Sequence, residues 1–288
     1  MGDKSRIEWT DATWNPVTGC SKVSPGCAHC YAETLALTRL AGSPGYGGDP
    51  WTPENAAVNV VLRPERLDQP LRWKRPRRVF VNSMSDLFHE LVPFDYIDRV
   101  FGVMQQAPHH TFQVLTKRPE RMQEYVSGHG TLLGRAHEVI KVVNEQMLDG
   151  GPAWPGWPLP NVWLGTSVEN QHWAEVRIPQ LLATPAAIRF LSCEPLLGPI
   201  DFSNVTRRSD AVAQLGKRAL TGIDWVIAGG ESGPQHRPVD LDWVRSLRDQ
   251  CVAAGVAFMF KQVGGRTSKA GGRELDGRSW DEFPLVVA

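Results

Sequence analysis

Six stretches of the chain share one grammar: a short continuous apolar run, a burst of small or charged polar residues, then often a helical pattern. They are RVFVNSMSDLF (78–88), TFQVLTKRPERM (111–122), NVWLGTSVEN (161–170), IRFLSCEPL (188–196), DWVIAGGESG (224–233) and VAFMFKQVGG (256–265). Their apolar parts are rich in Val, Ile, Phe and Trp and do not alternate with polar residues, which predicts parallel strands covered on both faces. Between them, DYIDRVFGVMQQ (95–106) places Ile97, Val100, Phe101 and Met104 on one helical face. DLDWVRSLRDQCVAAG does the same with Leu241, Val244, Leu247 and Cys251, which makes Cys251 a core residue. NQHWAEVRIPQLLAT looks similar but is predicted to break at Pro179. Such alternation predicts βαβ units stacked into a barrel or a doubly wound sheet. A further strand expected around Glu8–Thr18 brings the count to about seven.

The 288 residues suit one α/β domain, a partial TIM-like (β/α) barrel over 1–288 with inserts near 127–160 and 203–222. The first insert carries the helical pattern RAHEVIKVVNEQML and the loop GGPAWPGWPLP. No apolar run approaches the ~20 residues of a membrane span, so no membrane partner is expected. The opening MGDKSRIEWTD has no apolar leader, which points to the reducing cytoplasm. Nothing in the pattern specifies an oligomeric state.

The strongest chemical signal lies near the start. Cys20, Cys27 and Cys30 fall in the run GCSKVSPGCAHCYAE, whereas Cys193 and Cys251 are far away. A reducing compartment and an odd count of five argue against a disulfide framework. Three clustered thiols are read as metal ligands in preference to small buried hydrophobes. Structural zinc needs a fourth ligand, and no second C-x2-C and no H-x3-H supplies one. An iron–sulfur cluster accepts three cysteines and leaves one iron open, and Gly26 lets backbone approach it closely. Ligand count favours the cluster, with zinc as the alternative.

In parallel α/β folds ligands bind at the carboxyl ends of the strands, where the polar bursts fall. Ser83, Ser85, Asp86, Thr116, Lys117, Arg118, Ser167, Glu169, Asn170, Cys193, Glu194, Glu231, Ser232, Lys261 and Gln262 are therefore expected at one mouth. The competing account is that they cap the following helices, which suits Asn170 and Ser232 but not Lys117, Glu194 or Lys261. The Gly229–Gly230 pair permits close approach to a ligand but is also a common turn. No nucleotide-binding or zinc-protease motif is present.

A three-cysteine loop followed by strand-end polar motifs resembles the radical S-adenosylmethionine superfamily. More closely, IEWTDATWNPVTGCSKVSPGCAHCYAE together with LTKRPERM, SVEN, SCEPLLGPI, GGESG and FKQVGG resembles the phage-type three-Cys-motif family. The resemblance implies a [4Fe-4S] cluster on Cys20, Cys27 and Cys30, with S-adenosylmethionine chelating the open iron. It further implies an electron donor of flavodoxin or ferredoxin type, and reductive cleavage to a 5′-deoxyadenosyl radical that abstracts hydrogen from substrate. By comparison with the spore photoproduct lyases, Ser83, Lys117 and Ser167 match the positions that hold the nucleoside and carboxylate, and Glu169 or Asn170 would take the ribose hydroxyls. Cys193 would be the hydrogen donor to a product radical, with a buried structural thiol as the alternative; Glu194 and Glu231 are the accompanying candidate catalytic carboxylates. Two departures stand out: the first cysteine pair is separated by six residues, not three, and the glycine-glycine-acid motif follows the sixth strand, not the second.

Charge says little about substrate. Lys plus Arg and Asp plus Glu each number 31, so composition does not favour a nucleic-acid binder. The run Arg72-Trp73-Lys74-Arg75-Pro76-Arg77-Arg78 precedes a strand and is expected to be a solvated loop or a partner surface away from the mouth. Lys117, Arg118 and Arg121 are better placed to meet phosphate, and Trp154 and Trp157 to stack on bases or to pack their own loop. The resulting expectation is a radical enzyme acting on a nucleobase, in DNA or as a nucleotide, for modification or lesion repair. The alternatives are a radical enzyme for a small molecule or peptide, and a metal-stabilised binding module without turnover.

Overall fold

The computed structural model describes residues 4–127, 156–207 and 220–285. The predicted helix RAHEVIKVVNEQML, Trp154 and most of the second insert lie outside the described residues. The fold is α/β. Its main strands are β1 (Ala12–Trp14), β4 (Arg78–Val81), β5 (Thr111–Thr116), β6 (Val162–Ser167), β7 (Ile188–Cys193), β8 (Trp225–Gly229) and β9 (Ala257–Gln262). Two short pairs, β2 (Val17–Thr18) with β3 (Val61–Leu62) and β10 (Glu274–Leu275) with β11 (Arg278–Ser279), stand apart from them. The seven main strands follow one another in chain order, β1-β4-β5-β6-β7-β8-β9, without the reversal that marks a doubly wound sheet. Every apolar run singled out from the sequence forms one of these strands. The helices are α1 (Tyr31–Leu37), α2 (Ala56–Asn59), α3 (Phe94–Gln106), α4 (Pro119–Ser127), α5 (Gln171–Ala183), α6 (Phe202–Arg207) and α7 (Leu241–Ala254). Among the described residues no helix is long and apolar enough to cross a membrane.

The chain divides into two compact units, each built from separate segments. The first comprises Met1–Lys22, Ala32–Leu164 and Thr184–Ala187. In it β1, β4 and β5 pair in parallel, with Trp14 opposite Val81 and Val81 opposite Val114. α3 buries Ile97, Val100, Phe101 and Met104, the face its spacing predicts. Trp14 is fully buried and donates its Nε1–H to the Arg66 carbonyl at 2.7 Å, so its ring is desolvated without stranding its polar atom. Trp157 packs against Phe101 of α3 with ring centroids 5.6 Å apart.

The second unit comprises Val23–Tyr31, Gly165–Ala183 and Ile188–Ala288. Here β7, β8 and β9 pair in parallel, and Trp225 donates to the Glu282 carbonyl at 2.8 Å. α5 runs unbroken through Pro179, contrary to the expected break. The ring removes one intrahelical hydrogen bond, but burial of Ala174, Arg177, Ile178 and Leu181 holds both halves in line. α7 buries Val244, Leu247 and Cys251, so Cys251 is a core residue as its stripe requires. Asp240 caps this helix by accepting the Asp242 N–H at 2.8 Å, and Gly255 closes it in the left-handed conformation at φ 70°. Asp240→Ala is expected to lower stability by about 1 kcal/mol, read as a shift in the urea unfolding midpoint.

Candidate functional site

Cys20, Cys27 and Cys30 are free thiols of intermediate burial. The chain passes from the first unit to the second between Lys22 and Val23, so Cys20 belongs to one and Cys27 and Cys30 to the other. Among the described residues no group of three His, Cys, Asp or Glu side chains stands close enough to hold a metal ion.

In the first unit, Cys20 sits against a buried polar network. Arg118 Nη1 points at its sulfur from 3.6 Å, and Arg118 Nη2 donates to the Ser21 carbonyl and hydroxyl, both at 3.1 Å. The same guanidinium meets Asp86 Oδ2 at 3.3 Å and Glu90 Oε1 at 2.9 Å. Asp86 also accepts Thr116 Oγ1 at 2.7 Å and the backbone N–H groups of Lys117 and Phe88, each at 3.0 Å. Burial by itself would raise the Asp86 carboxyl; the Arg118 guanidinium and these hydrogen bonds outweigh that and hold it below its usual value. His89 Nδ1 accepts the Leu91 N–H at 3.1 Å, which leaves Nε2 to donate to Ser21 Oγ at 2.9 Å. Burial and then Arg118 lower the His89 pKa, so the ring stays neutral.

Arg118 and Arg121 were expected to face phosphate. Instead Arg118 is buried in this network, and Arg121 lies over the Phe94 ring at 4.4 Å with Nη2 donating to the Val92 carbonyl. A charge next to buried carboxylates is drawn into ion pairs before it can serve a ligand. Ser83 shares hydrogen bonds with the Asn15 side chain at 3.2 and 3.3 Å, and Lys117 is of intermediate burial.

In the second unit, two buried carboxylates grip the later half of the cysteine loop. Ser24 Oγ donates to Glu169 Oε1 at 2.5 Å, and Arg177 Nη1 donates to Glu169 Oε2 at 3.0 Å and to the Ser167 carbonyl at 2.9 Å. Arg177 also lies over the Trp173 ring at 4.1 Å. A Cβ on Gly26 would fall 2.4 Å from Glu169 Oε1, so the close approach this glycine permits is to that carboxylate. Glu231 accepts His29 Nδ1 at 3.1 Å and Arg237 through Nη2 at 2.6 Å, Nε at 3.0 Å and its backbone N–H at 2.8 Å. Arg237 Nη2 continues to the Pro25 carbonyl at 3.0 Å. Burial would raise the Glu231 carboxyl, and hydrogen bonds from Arg237 and then His29 more than offset it, leaving it below its usual value.

The remaining strand-end residues of this unit are also engaged internally. Lys261 Nζ donates to Glu194 Oε1 at 2.6 Å, and Gln262 Nε2 donates to Ser232 Oγ at 2.7 Å. Asn170 Oδ1 accepts the Trp173 N–H at 3.2 Å and caps α5, the plainer of its two expected roles. Ser167 is buried. Cys193 is wholly buried, and burial, followed by Cys251 and Glu169, pushes its thiol well above the usual value and keeps it protonated. Gly230 is needed for a reason the sequence did not supply: a Cβ there would lie 1.9 Å from the Val263 carbonyl oxygen.

Sequence reasoning missed Arg177, Arg237, Ser24 and His29 as partners of the strand-end carboxylates. Sequence offers one usable signal, since the EN and ES acids need counter-charges and an arginine follows each within eight residues. No curated protein and no solved structure matches the chain. Residues 4–284 match the family described as "Protein of unknown function (DUF5131)", and the protein belongs to that family.

Proposed function

We propose that the protein is a radical S-adenosylmethionine enzyme of partial-barrel type, acting on a nucleobase in DNA or in a nucleotide for modification or repair. The donor set suits the group in kind: three thiols of intermediate burial, none in a disulfide, fall within eleven residues of one loop. The observation that carries the reading is how firmly the later half of that loop is held. Glu169 and Glu231, buried carboxylates following β6 and β8, bond Ser24, His29 and, through Arg237, Pro25. A loop fastened by hydrogen bonds to two buried, arginine-paired carboxylates is suited to present sulfur, because reactive ligands need rigid support.

When bound, the cluster and S-adenosylmethionine would supply a 5′-deoxyadenosyl radical from one electron given by a flavodoxin- or ferredoxin-type donor, with methionine released. Cys20, Cys27 and Cys30 would hold the iron. Ser83, Lys117 and Ser167 would be the positions nearest the cofactor by resemblance, while Glu169, Glu231, Arg177 and Arg237 keep the loop in place. Arg118 fixes the Cys20 side, where a guanidinium aimed at sulfur favours a thiolate ligand.

Anaerobic isolation tests the reading. The expected result is about four iron and four sulfide per chain, and 5′-deoxyadenosine on reduction with S-adenosylmethionine, both lost in Cys27→Ala. A colourless protein loaded with zinc would overturn it. One observation favours a second reading, a metal-stabilised module without turnover. Glu169, Glu194, Glu231, Asn170, Ser232 and Gln262 are all engaged within the chain, as scaffold residues are. Iron without 5′-deoxyadenosine release would select that second reading.

A further inference from the structure

Among the described residues of the second unit, most cations are matched. Arg177, Arg237, Arg245, Arg248, Lys261 and Arg273 each face a carboxylate, and Arg278 lies 3.5 Å over the Trp280 ring. Arg266 and Lys269 are different. They occupy the loop GGRTSKAGG that follows β9, both are exposed, and neither meets a carboxylate or a ring among the described residues. Thr267 and Ser268 between them are exposed. Among the described residues, the backbone N–H groups of residues 266–269 donate to no acceptor.

This loop is shaped by its fold. Val263 N–H bonds the Gly272 carbonyl at 2.9 Å across the neck, and turns are closed by Ala270 to Thr267 at 3.2 Å and Gly272 to Lys269 at 3.3 Å. The glycines are required: a Cβ on Gly264, at φ +85°, would lie 2.3 Å from the Glu231 carbonyl oxygen, and one on Gly271 would lie 2.6 Å from Val263 Cβ. Gly265 N–H bonds the Glu231 carbonyl at 3.0 Å, and Gly233 N–H bonds the Gly265 carbonyl at 2.9 Å. The base of the loop is thus tied to the strand end whose carboxylate holds His29. A preshaped tip carrying two unmatched cations, two hydroxyls and unengaged amides matches one ligand chemistry, a phosphate group.

We propose that the loop Gly264–Gly272 is a phosphate-binding site for the substrate, taking the phosphate of a nucleotide or of a nucleic-acid strand through Arg266, Lys269 and the intervening amides. The identity of the ligand rests on the nucleobase reading above; the existence of the site does not. Balanced overall charge is compatible with it, because a local nest acts at contact distance where net charge acts only over the Debye length.

The test uses the full chain as purified, with no iron, reductant or cofactor added. Binding of a fluorescein-labelled single-stranded oligodeoxynucleotide is followed across a salt series, with deoxyadenosine monophosphate as competitor. The double variant Arg266→Gln, Lys269→Gln is expected to bind roughly tenfold more weakly and to lose about 1.4 from the slope of log K against log salt. Arg245→Gln, Arg248→Gln removes the same net charge from matched cations and is expected to leave that slope unchanged. Competition by the mononucleotide would identify a nucleotide as the source of the phosphate, and its absence a strand. The proposal is overturned if the wild-type chain binds neither probe, or if both double variants weaken binding equally. Thermal melts of both variants confirm that they remain folded. Failure of the iron assay leaves this result standing, and failure here leaves the cysteine-loop reading standing.

Discussion

Glu169→Ala is expected to lower stability by about 3–5 kcal/mol, among the largest effects of any single substitution in the second unit. The carboxylate is wholly buried, and its partner Arg177 is 1% exposed. Removing the acid leaves a guanidinium sealed away from water with the Ser167 carbonyl and the Trp173 face as its remaining company. Neither neutralises it, and an uncompensated buried charge is costlier than a missing contact. Urea unfolding followed by tryptophan fluorescence measures the loss. Glu169→Gln keeps the shape but not the charge and is expected to lose most of the same stability. The pair Glu169→Leu, Arg177→Met removes both charges and is expected to recover a large part of it. A loss below about 1 kcal/mol in Glu169→Ala would mean the pair is hydrated and the loop is held by other means. Faster amide exchange at Gly26–Ala28 in the alanine variant would report release of Ser24 directly.

Asp86→Ala is the corresponding expectation for the first unit, again about 3–5 kcal/mol at neutral pH. Asp86 is 5% exposed and pairs with Arg118, which is equally buried and which also carries Ser21 and faces Cys20. The sign of the pH dependence follows from the lowered carboxyl. A group whose folded pKa lies below its unfolded value contributes stability above the ordinary carboxylate value of about 3.9, and loses it as pH falls through the folded value. The difference between wild type and Asp86→Ala is therefore expected to be constant from neutrality down to about pH 5 and to shrink below about pH 4. A difference that grows on acidification would refute the assignment of Asp86 as the charged partner of Arg118.

Fold class was readable from hydrophobic pattern because both faces of these strands are covered. The largely apolar strands at 78–81, 188–193 and 225–229, buried at nearly every position, show no strict alternation that would suggest a half-exposed sheet. α3 and α7 were equally plain, since a stripe every three to four residues has no other common cause. Pro179 misled because a local rule was applied where burial of Ala174, Arg177, Ile178 and Leu181 outweighs one missing hydrogen bond. Arg118 misled for a related reason. Its position after a strand was right, but its carboxylate partners come from Asp86 and Glu90, far back in the sequence.

By itself the sequence determined the α/β class, the chain-ordered run of strands and the trio of cysteines near the start, because periodicity and residue spacing are local properties of the chain. It also placed the polar residues at strand ends. Which of those residues would turn inward was decided only by tertiary structure. Glu169 and Glu231 hold Ser24 and His29, residues more than a hundred positions earlier, and Arg118 reaches back to Ser21 and Cys20. The physical reason is the penalty on buried charge: a carboxylate left in the interior must find its counter-charge or donor wherever the fold brings one near, and sequence distance does not enter that requirement.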